Sequence, residues 1–530
     1  TLFPYTTLFR STRTVSDSLA ANESRSETFD FTAIAPGNYA VSFLLTDVGT
    51  GQTISSESCT ATLAADAFSA EMGAALKKAD ELVAALPRGA VADRAMKALT
   101  TIRDSANTVL AALKGLGLDA TASQTADVLT KMDAMRKDLA RFMARADAAR
   151  YAAPDARFAL LPDTALRKIF KDEPYEIAAD TNPTTARVEV AGNEYEPVQI
   201  VVVPLWSPVT GLRVSCDSAK RAAGGEIAAD RIRVNRVGYV PIGIPEYSWR
   251  VPKMGEYPDV LMDDATADLP ETQDAQPFFV TVHSLPEDAA GDYAGVIRAA
   301  DAAGCKVELP LTIHRWGFSL DKETHLKTSL WMNEGFLKAF YKYPNRTPFD
   351  VRKRFYQCHL DHRISPIQSF PWGGGDMKED FDFLMANGQN CLFLHPEQPK
   401  TDAEKQAYAA KIAETRQYLE SRGWSDKTLF YSIDEVGVMQ RNRIGDLHEI
   451  NALARELAPE WPRLETSAPE QALFGAVDIW CPLIDAFDPA VLKQRMAQGE
   501  RLWFYTVWGR PGIMVEFPST DYRVMLWECW

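Results

Sequence analysis

The run Thr428-Leu429-Phe430-Tyr431-Ser432-Ile433-Asp434-Glu435 is an apolar, aromatic stretch that stops abruptly at two adjacent carboxylates. Residues of this type fit a pleated, buried strand. Two acids side by side repel each other, so a strand end that carries them is a candidate site using coupled carboxylates. The same rhythm extends outward over residues 319–530. Short apolar runs at 326–330, 364–368, 391–394, 429–432, 464–466, 477–480 and 502–507 alternate with helical patterns, most clearly at 402–421 and 440–457. This alternation predicts a (β/α)8 TIM-type barrel. Residues 522–530 read as the start of an apolar helix without a cap, so the expected barrel is truncated at the C-terminus before its last unit. Barrels of this kind place reactive groups at the C-terminal ends of their strands, and Asp434 and Glu435 then fall at the mouth.

Upstream the patterning changes three times. Residues 1–11 resemble translated adapter sequence and are set apart from the fold. Residues 12–65 alternate in the manner of strands, with turns at Pro36-Gly37-Asn38 and Gly49-Thr50-Gly51, and read as the C-terminal part of a β-sandwich-like domain. Residues 66–153 switch to helical spacing, with breaks at Pro87-Arg88-Gly89 and Gly115-Leu116-Gly117. They predict roughly three helices in a bundle or spacer. Residues 154–318 return to short strands separated by turns, which predicts a β-sandwich domain. The expectation is therefore a multidomain chain in which a helical bundle and part of a further β domain precede a sandwich and a barrel.

The composition excludes several classes of function. A net charge of −15 over 530 residues argues against a nucleic-acid groove. No stretch approaches the roughly 18 apolar residues of a membrane span. The seven cysteines are scattered, without a Cys-x-x-Cys pair or zinc-finger spacing, so they are expected to be small core residues, and neither a metal nor a cofactor is expected. Oligomeric state is not legible.

Other polar and aromatic residues fall just past the expected strands: Trp331 and Asn333 after the first, Trp372 after the second, His395 after the third, then Glu465, Asp485, Tyr505 and Trp508. A mouth that mixes acids with tryptophans suits sugars, whose C–H faces stack on rings while their hydroxyls need polar partners. A glycan is the expected partner. Each residue also has a plainer reading: the acid pair as a helix cap, the tryptophans as packing between barrel and sandwich, His395 as a structural histidine, and Glu465 and Asp485 as wall residues. Neighbouring strand residues point to opposite faces, so both acids reach the mouth only if pairing ends near Asp434. One could then protonate a glycosidic oxygen while the other stays ionised. A classical nucleophile and acid/base sit about 5 Å apart or more across the scissile bond. Adjacent acids fit better with a nucleophile carried by the substrate, such as a 2-acetamido oxygen. Glu465, Asp485 and Glu516 are the acids available to a classical two-carboxylate alternative, and a carbohydrate-binding or scaffold protein without turnover is the third reading.

Several motifs, in order, make the chain from about residue 158 onward resemble the glycoside hydrolase family 123 catalytic domain and its relatives. They are Gly192-Asn193-Glu194-Tyr195-Glu196-Pro197-Val198-Gln199, Gly255-Glu256-Tyr257-Pro258-Asp259-Val260-Leu261, Gln276-Pro277-Phe278-Phe279-Val280 with Ala290-Gly291-Asp292-Tyr293, Tyr431-Ser432-Ile433-Asp434-Glu435, Leu502-Trp503-Phe504-Tyr505, and Tyr522-Arg523-Val524-Met525-Leu526-Trp527. The resemblance implies a retaining β-N-acetylgalactosaminidase or near relative that works by substrate assistance. It gives Glu435 the role of acid/base and Asp434 that of orienting the 2-acetamido group, which Tyr505 would also hydrogen-bond. It implies no metal. A secreted, periplasmic or cell-surface location is the matching expectation. The chain departs from the family where Val436-Gly437, rather than Pro, follows the acids, and where Tyr505 runs into Thr506-Val507-Trp508-Gly509.

Overall fold

The computed structural model describes residues 37–46, 53–63, 65–116, 122–243, 254–367, 369–370, 378–395, 399–484, 486–506, 511–512 and 514–529. The first described elements are the strands Gly37–Thr46 and Thr53–Leu63, an antiparallel pair in a sheet of their own. Three helices follow, Ala65–Ala84, Ala90–Lys114 and Ala122–Ala149, each packed against the other two. Leu99, Leu113, Leu139 and Phe142 bury the apolar stripe that their helical spacing builds.

The bundle is seated on a sandwich of two sheets. One sheet holds, in spatial order, Gly255–Met262, Ile232–Ile242, Gln276–Ser284, Glu194–Pro204 and Phe158–Asp163, all antiparallel. The other runs Thr266–Leu269, Val209–Cys216, Gly291–Ala300, Lys306–Ser319 and Ala186–Gly192, the last pair being parallel. Alternation along the strand Glu194–Pro204 divides its side chains between two cores. Ile200 and Val202 face the opposite sheet with Phe278, Tyr293 and Leu311, while Val201 and Val203 face the helices. Phe142 meets Trp206 at 5.3 Å between ring centroids. A buried acid fixes the junction: Asp274 binds Arg141 at 2.8 Å and Arg145 at 3.4 Å. Removing one partner of such a pair typically costs about 3–5 kcal/mol, because the other charge is stranded. The helices are thus part of a continuous core with the sandwich and not a free spacer.

Beyond Ser319 the chain alternates strands and helices. The strands Ser369–Phe370, Leu392–Leu394, Thr428–Tyr431, Arg463–Glu465, Ile479–Trp480 and Arg501–Leu502 form one parallel, curled sheet in sequential order. Leu330–Trp331 and Pro366–Ile367 form a second parallel pair. Among the described residues the sheet does not close. Local signals start and stop its longest helix cleanly. Thr401 and Glu404 form a capping box at the head of Asp402–Arg422, and Gly423, at φ 70°, ends it in the left-handed conformation. The sheet's two faces are both apolar, as expected of a parallel sheet covered on both sides. Leu392, Leu394 and Phe430 pack outward against Tyr356, Ile412 and Trp461, while Phe393, Leu429, Tyr431, Leu464 and Ile479 pack inward. No helix among the described residues is long and apolar enough to cross a membrane.

Candidate active site

Strand pairing ends at Tyr431, three residues before Asp434, so the acids project from a loop and not from opposite faces of a strand. Ile433 and Val436 anchor this loop, both buried against Leu447, Leu473 and Trp480. Between them Asp434 is exposed and Glu435 half-buried. Glu435 has φ 48°, a left-handed conformation that a residue with a Cβ adopts only when its surroundings impose it.

Each acid has its own holder. One oxygen of Asp434, Oδ1, accepts from the Tyr431 hydroxyl and, at 3.0 Å, from Thr466. Oε1 of Glu435 accepts from the hydroxyl of Tyr505. Tyr505 is itself fixed by backbone bonds to Pro482 and Ile484, both at 3.0 Å, where the chain forms a parallel bridge at Leu483. Burial and the neighbouring carboxylates push both tyrosine hydroxyls well above their ordinary pKa, so both are donors at any working pH. The His395 ring lies edge-on to Tyr431 at 4.6 Å. Burial lowers its pKa, with the Asp434 charge acting in the opposite sense.

The structure therefore brings Asp434, Glu435, Tyr505 and His395 together. Glu465 is close to them but does not line the mouth. Its neighbour Leu464 packs inward, so Glu465 points to the other face and is fully buried. Its Oε1 accepts from the amide of Val436 at 2.8 Å and from Ser467 at 3.1 Å. Asn333 is exposed and caps the helix Glu334–Tyr341, accepting from the amide of Phe336. Trp331 ends a strand, and its side chain lies outside the described residues, as do Trp372, Asp485 and Trp508. Tyr431 and Thr466 are the site residues that the sequence alone does not single out. Tyr431 stands in the decisive run itself, and a hydroxyl residue directly after the strand Arg463–Glu465 was the available signal for Thr466.

The Val436-Gly437 step has a structural role. Val436 supplies an amide to Glu465, which a proline could not do. Gly437 donates to Ser467 at 2.9 Å, and a Cβ at Gly437 would sit 2.8 Å from that same hydroxyl oxygen.

Burial pushes the Glu465 carboxyl up to about 7, and the nearby Asp434 and Glu435 add to the effect. A carboxyl whose folded pKa is raised favours the native state below its unfolded pKa of 4.5, and that contribution is lost as pH climbs through 7. The difference amounts to about 3 kcal/mol. Denaturant unfolding between pH 4.5 and 8 should show Glu465→Gln gaining on the unsubstituted protein by this order as pH rises. Parallel stability curves for the two proteins would contradict the assignment.

No family model matches the chain, and no curated protein matches it. Among solved structures, a family 123 glycoside hydrolase from Clostridium perfringens, described for glycolipid glycan hydrolysis, matches over 70% of this chain and 76% of its own, with TM-score 0.52 and 12% identity. The chain has a glycoside-hydrolase-like fold. Weaker matches include an FMN-binding β-glucuronidase from Facaelibacterium prausnitzii, with TM-score 0.25, 10% identity and coverage of 62% and 49%. A family 39 glycoside hydrolase from Bacteroides cellulosilyticus matches with TM-score 0.24, 11% identity and coverage of 50% and 55%.

Proposed function

We propose that the protein is a retaining glycoside hydrolase of the family 123 type, acting on glycans that end in a 2-acetamido sugar such as β-linked N-acetylgalactosamine. The observation that carries this reading is the loop at Asp434 and Glu435, where two consecutive acids project beyond the sheet and each is held by a different hydroxyl donor. In this reading the curled sheet belongs to a (β/α)8 barrel, and the acids stand at its mouth.

Glu435 is the acid/base. Its bond from Tyr505 fixes the carboxyl while leaving a second oxygen for the glycosidic oxygen, to which it gives a proton as the bond breaks. Asp434 acts on the substrate's 2-acetamido group. Oriented by Tyr431 and Thr466, its carboxylate accepts the amide N–H and stabilises positive charge as the acetamido oxygen attacks the anomeric carbon. Water then attacks the anomeric carbon and opens the cyclic intermediate, its proton passing to the Glu435 carboxylate, so the configuration is retained.

One of the acids available to a classical two-carboxylate mechanism is poorly placed for it. Glu465 is buried and bonded to Val436 and Ser467. A glycosidase of this type fits a secreted, periplasmic or cell-surface setting. The test compares aryl β-glycosides that differ only at the 2-position. The 2-acetamido sugar should be cleaved and its 2-hydroxy counterpart left essentially intact, whereas equal cleavage of both would rule out substrate assistance.

A further inference from the structure

Three consecutive backbone amides follow Asp434, and each is captured by a side chain of one three-residue segment. Glu435 N–H donates to Thr466 Oγ1 at 2.8 Å, Val436 N–H to Glu465 Oε1 at 2.8 Å, and Gly437 N–H to Ser467 Oγ at 2.9 Å. Ser467 in turn donates to Glu465 Oε1 at 3.1 Å. This ladder of side chains grips the turn at the point where Glu435 takes its left-handed conformation, which the chain would not hold unaided.

We propose that Glu465 is a positioning residue for the acid pair, its buried carboxyl fastening the turn that aims Glu435 toward the space it shares with the Tyr505 hydroxyl. The inference rests on the reading of Glu435 as the acid/base. Glu465 is fully buried, and its Oε2 has no hydrogen-bond partner among the described residues. A carboxyl left half-satisfied in the interior is unfavourable for the fold alone, and it is explained by what its other oxygen holds.

The ionisable groups facing it are Asp434, Glu435 and Tyr431 on the side of the turn, and Cys481, whose amide binds the Glu465 carbonyl at 2.8 Å, on the neighbouring strand's side. The charges of Asp434 and Glu435 disfavour a further negative charge, while Tyr431 and Cys481 stay protonated and add none. The carboxyl is therefore neutral below about 7, held up first by burial, and glutamine reproduces that neutral form.

The experiment measures amide hydrogen exchange of residues 431–440 and steady-state hydrolysis of an aryl 2-acetamido glycoside in Glu465→Leu, Glu465→Gln and Ser467→Ala. The leucine variant should exchange the Val436 and Gly437 amides about tenfold faster or more, with the neighbouring strands unchanged. It should lose roughly tenfold to 10²-fold in kcat with KM little altered, as expected when an acid is misaimed. Glutamine should restore protection and keep kcat within about threefold, and Ser467→Ala should fall between the two. Unchanged exchange at Val436 in the leucine variant would overturn the clamp, as would a glutamine variant as impaired as leucine. If leucine does not fold, the glutamine and Ser467→Ala results decide on the same criteria. If the unsubstituted protein hydrolyses no glycoside, the proposed function fails, while the exchange data still decide whether Glu465 holds the turn.

Discussion

Replacement of Glu435 by Gln is expected to lower kcat/KM on a glycan with an unactivated leaving group by about 10² to 10⁴-fold, the range that general acid/base catalysis contributes. Glutamine retains an oxygen to accept the Tyr505 hydroxyl, so the loop geometry should survive and the loss report the missing proton. A further signature follows from the role. An aryl glycoside whose leaving group departs as a stable anion needs less protonation, so bond cleavage on it should suffer less than on the natural alkyl linkage. Equal activity of Glu435→Gln and the unsubstituted protein on both substrates would remove Glu435 from the mechanism.

Asp434→Asn should lower turnover of 2-acetamido substrates by about 10²-fold or more, comparable with the loss of one preorganised electrostatic contact to a developing charge. The asparagine carbonyl can still accept from Tyr431 and Thr466, so what disappears is the negative charge and not the anchor. The expected pattern is a fall in kcat with little change in KM, because the charge interacts most strongly with the cyclic intermediate. Turnover unaltered by this substitution would show that Asp434 only caps the loop, the plainer reading that adjacent acids always carry.

The alternation of strands and helices was legible because its strands are short apolar runs between periodic helices, and the run ending at Asp434 is the clearest of them. Thr428 to Tyr431 are all buried, as the run's composition requires. What the alternation does not fix is which way each residue of a very short strand faces. Glu465 ends a strand of three residues, too brief for its period to declare a phase, and it is buried on the face of the sheet opposite Leu464. The bonds from Tyr431 and Thr466 to Asp434 were hidden for a related reason. They depend on the register that sets Tyr431 opposite Leu464, a property of two strands and not of either alone. The seating of the helices on the sandwich was equally out of reach. Val201 and Val203 belong to an apolar run in which every residue is buried, so nothing in the run marks which half meets a second core.

The glycine after the acids illustrates the opposite case, a departure from a family pattern that acquires a physical reason once the partners are known. Val436 and Gly437 provide two amides and a close approach, and Glu465 and Ser467 consume them. Rigidity that a proline would supply through its ring is supplied here by hydrogen bonds.

In the proposed mechanism the substrate's own acetamido oxygen is the nucleophile, with Asp434 steering it and Glu435 supplying the proton. Its most direct test is the rate of cleavage of a series of aryl β-glycosides whose 2-acetamido group carries successively more fluorine. Each fluorine withdraws electrons from the amide oxygen and leaves the rest of the sugar unchanged. Substrate assistance predicts a steep, progressive fall in kcat along the series. A rate that stays level across it would mean that a protein carboxylate, and not the substrate, attacks the anomeric carbon.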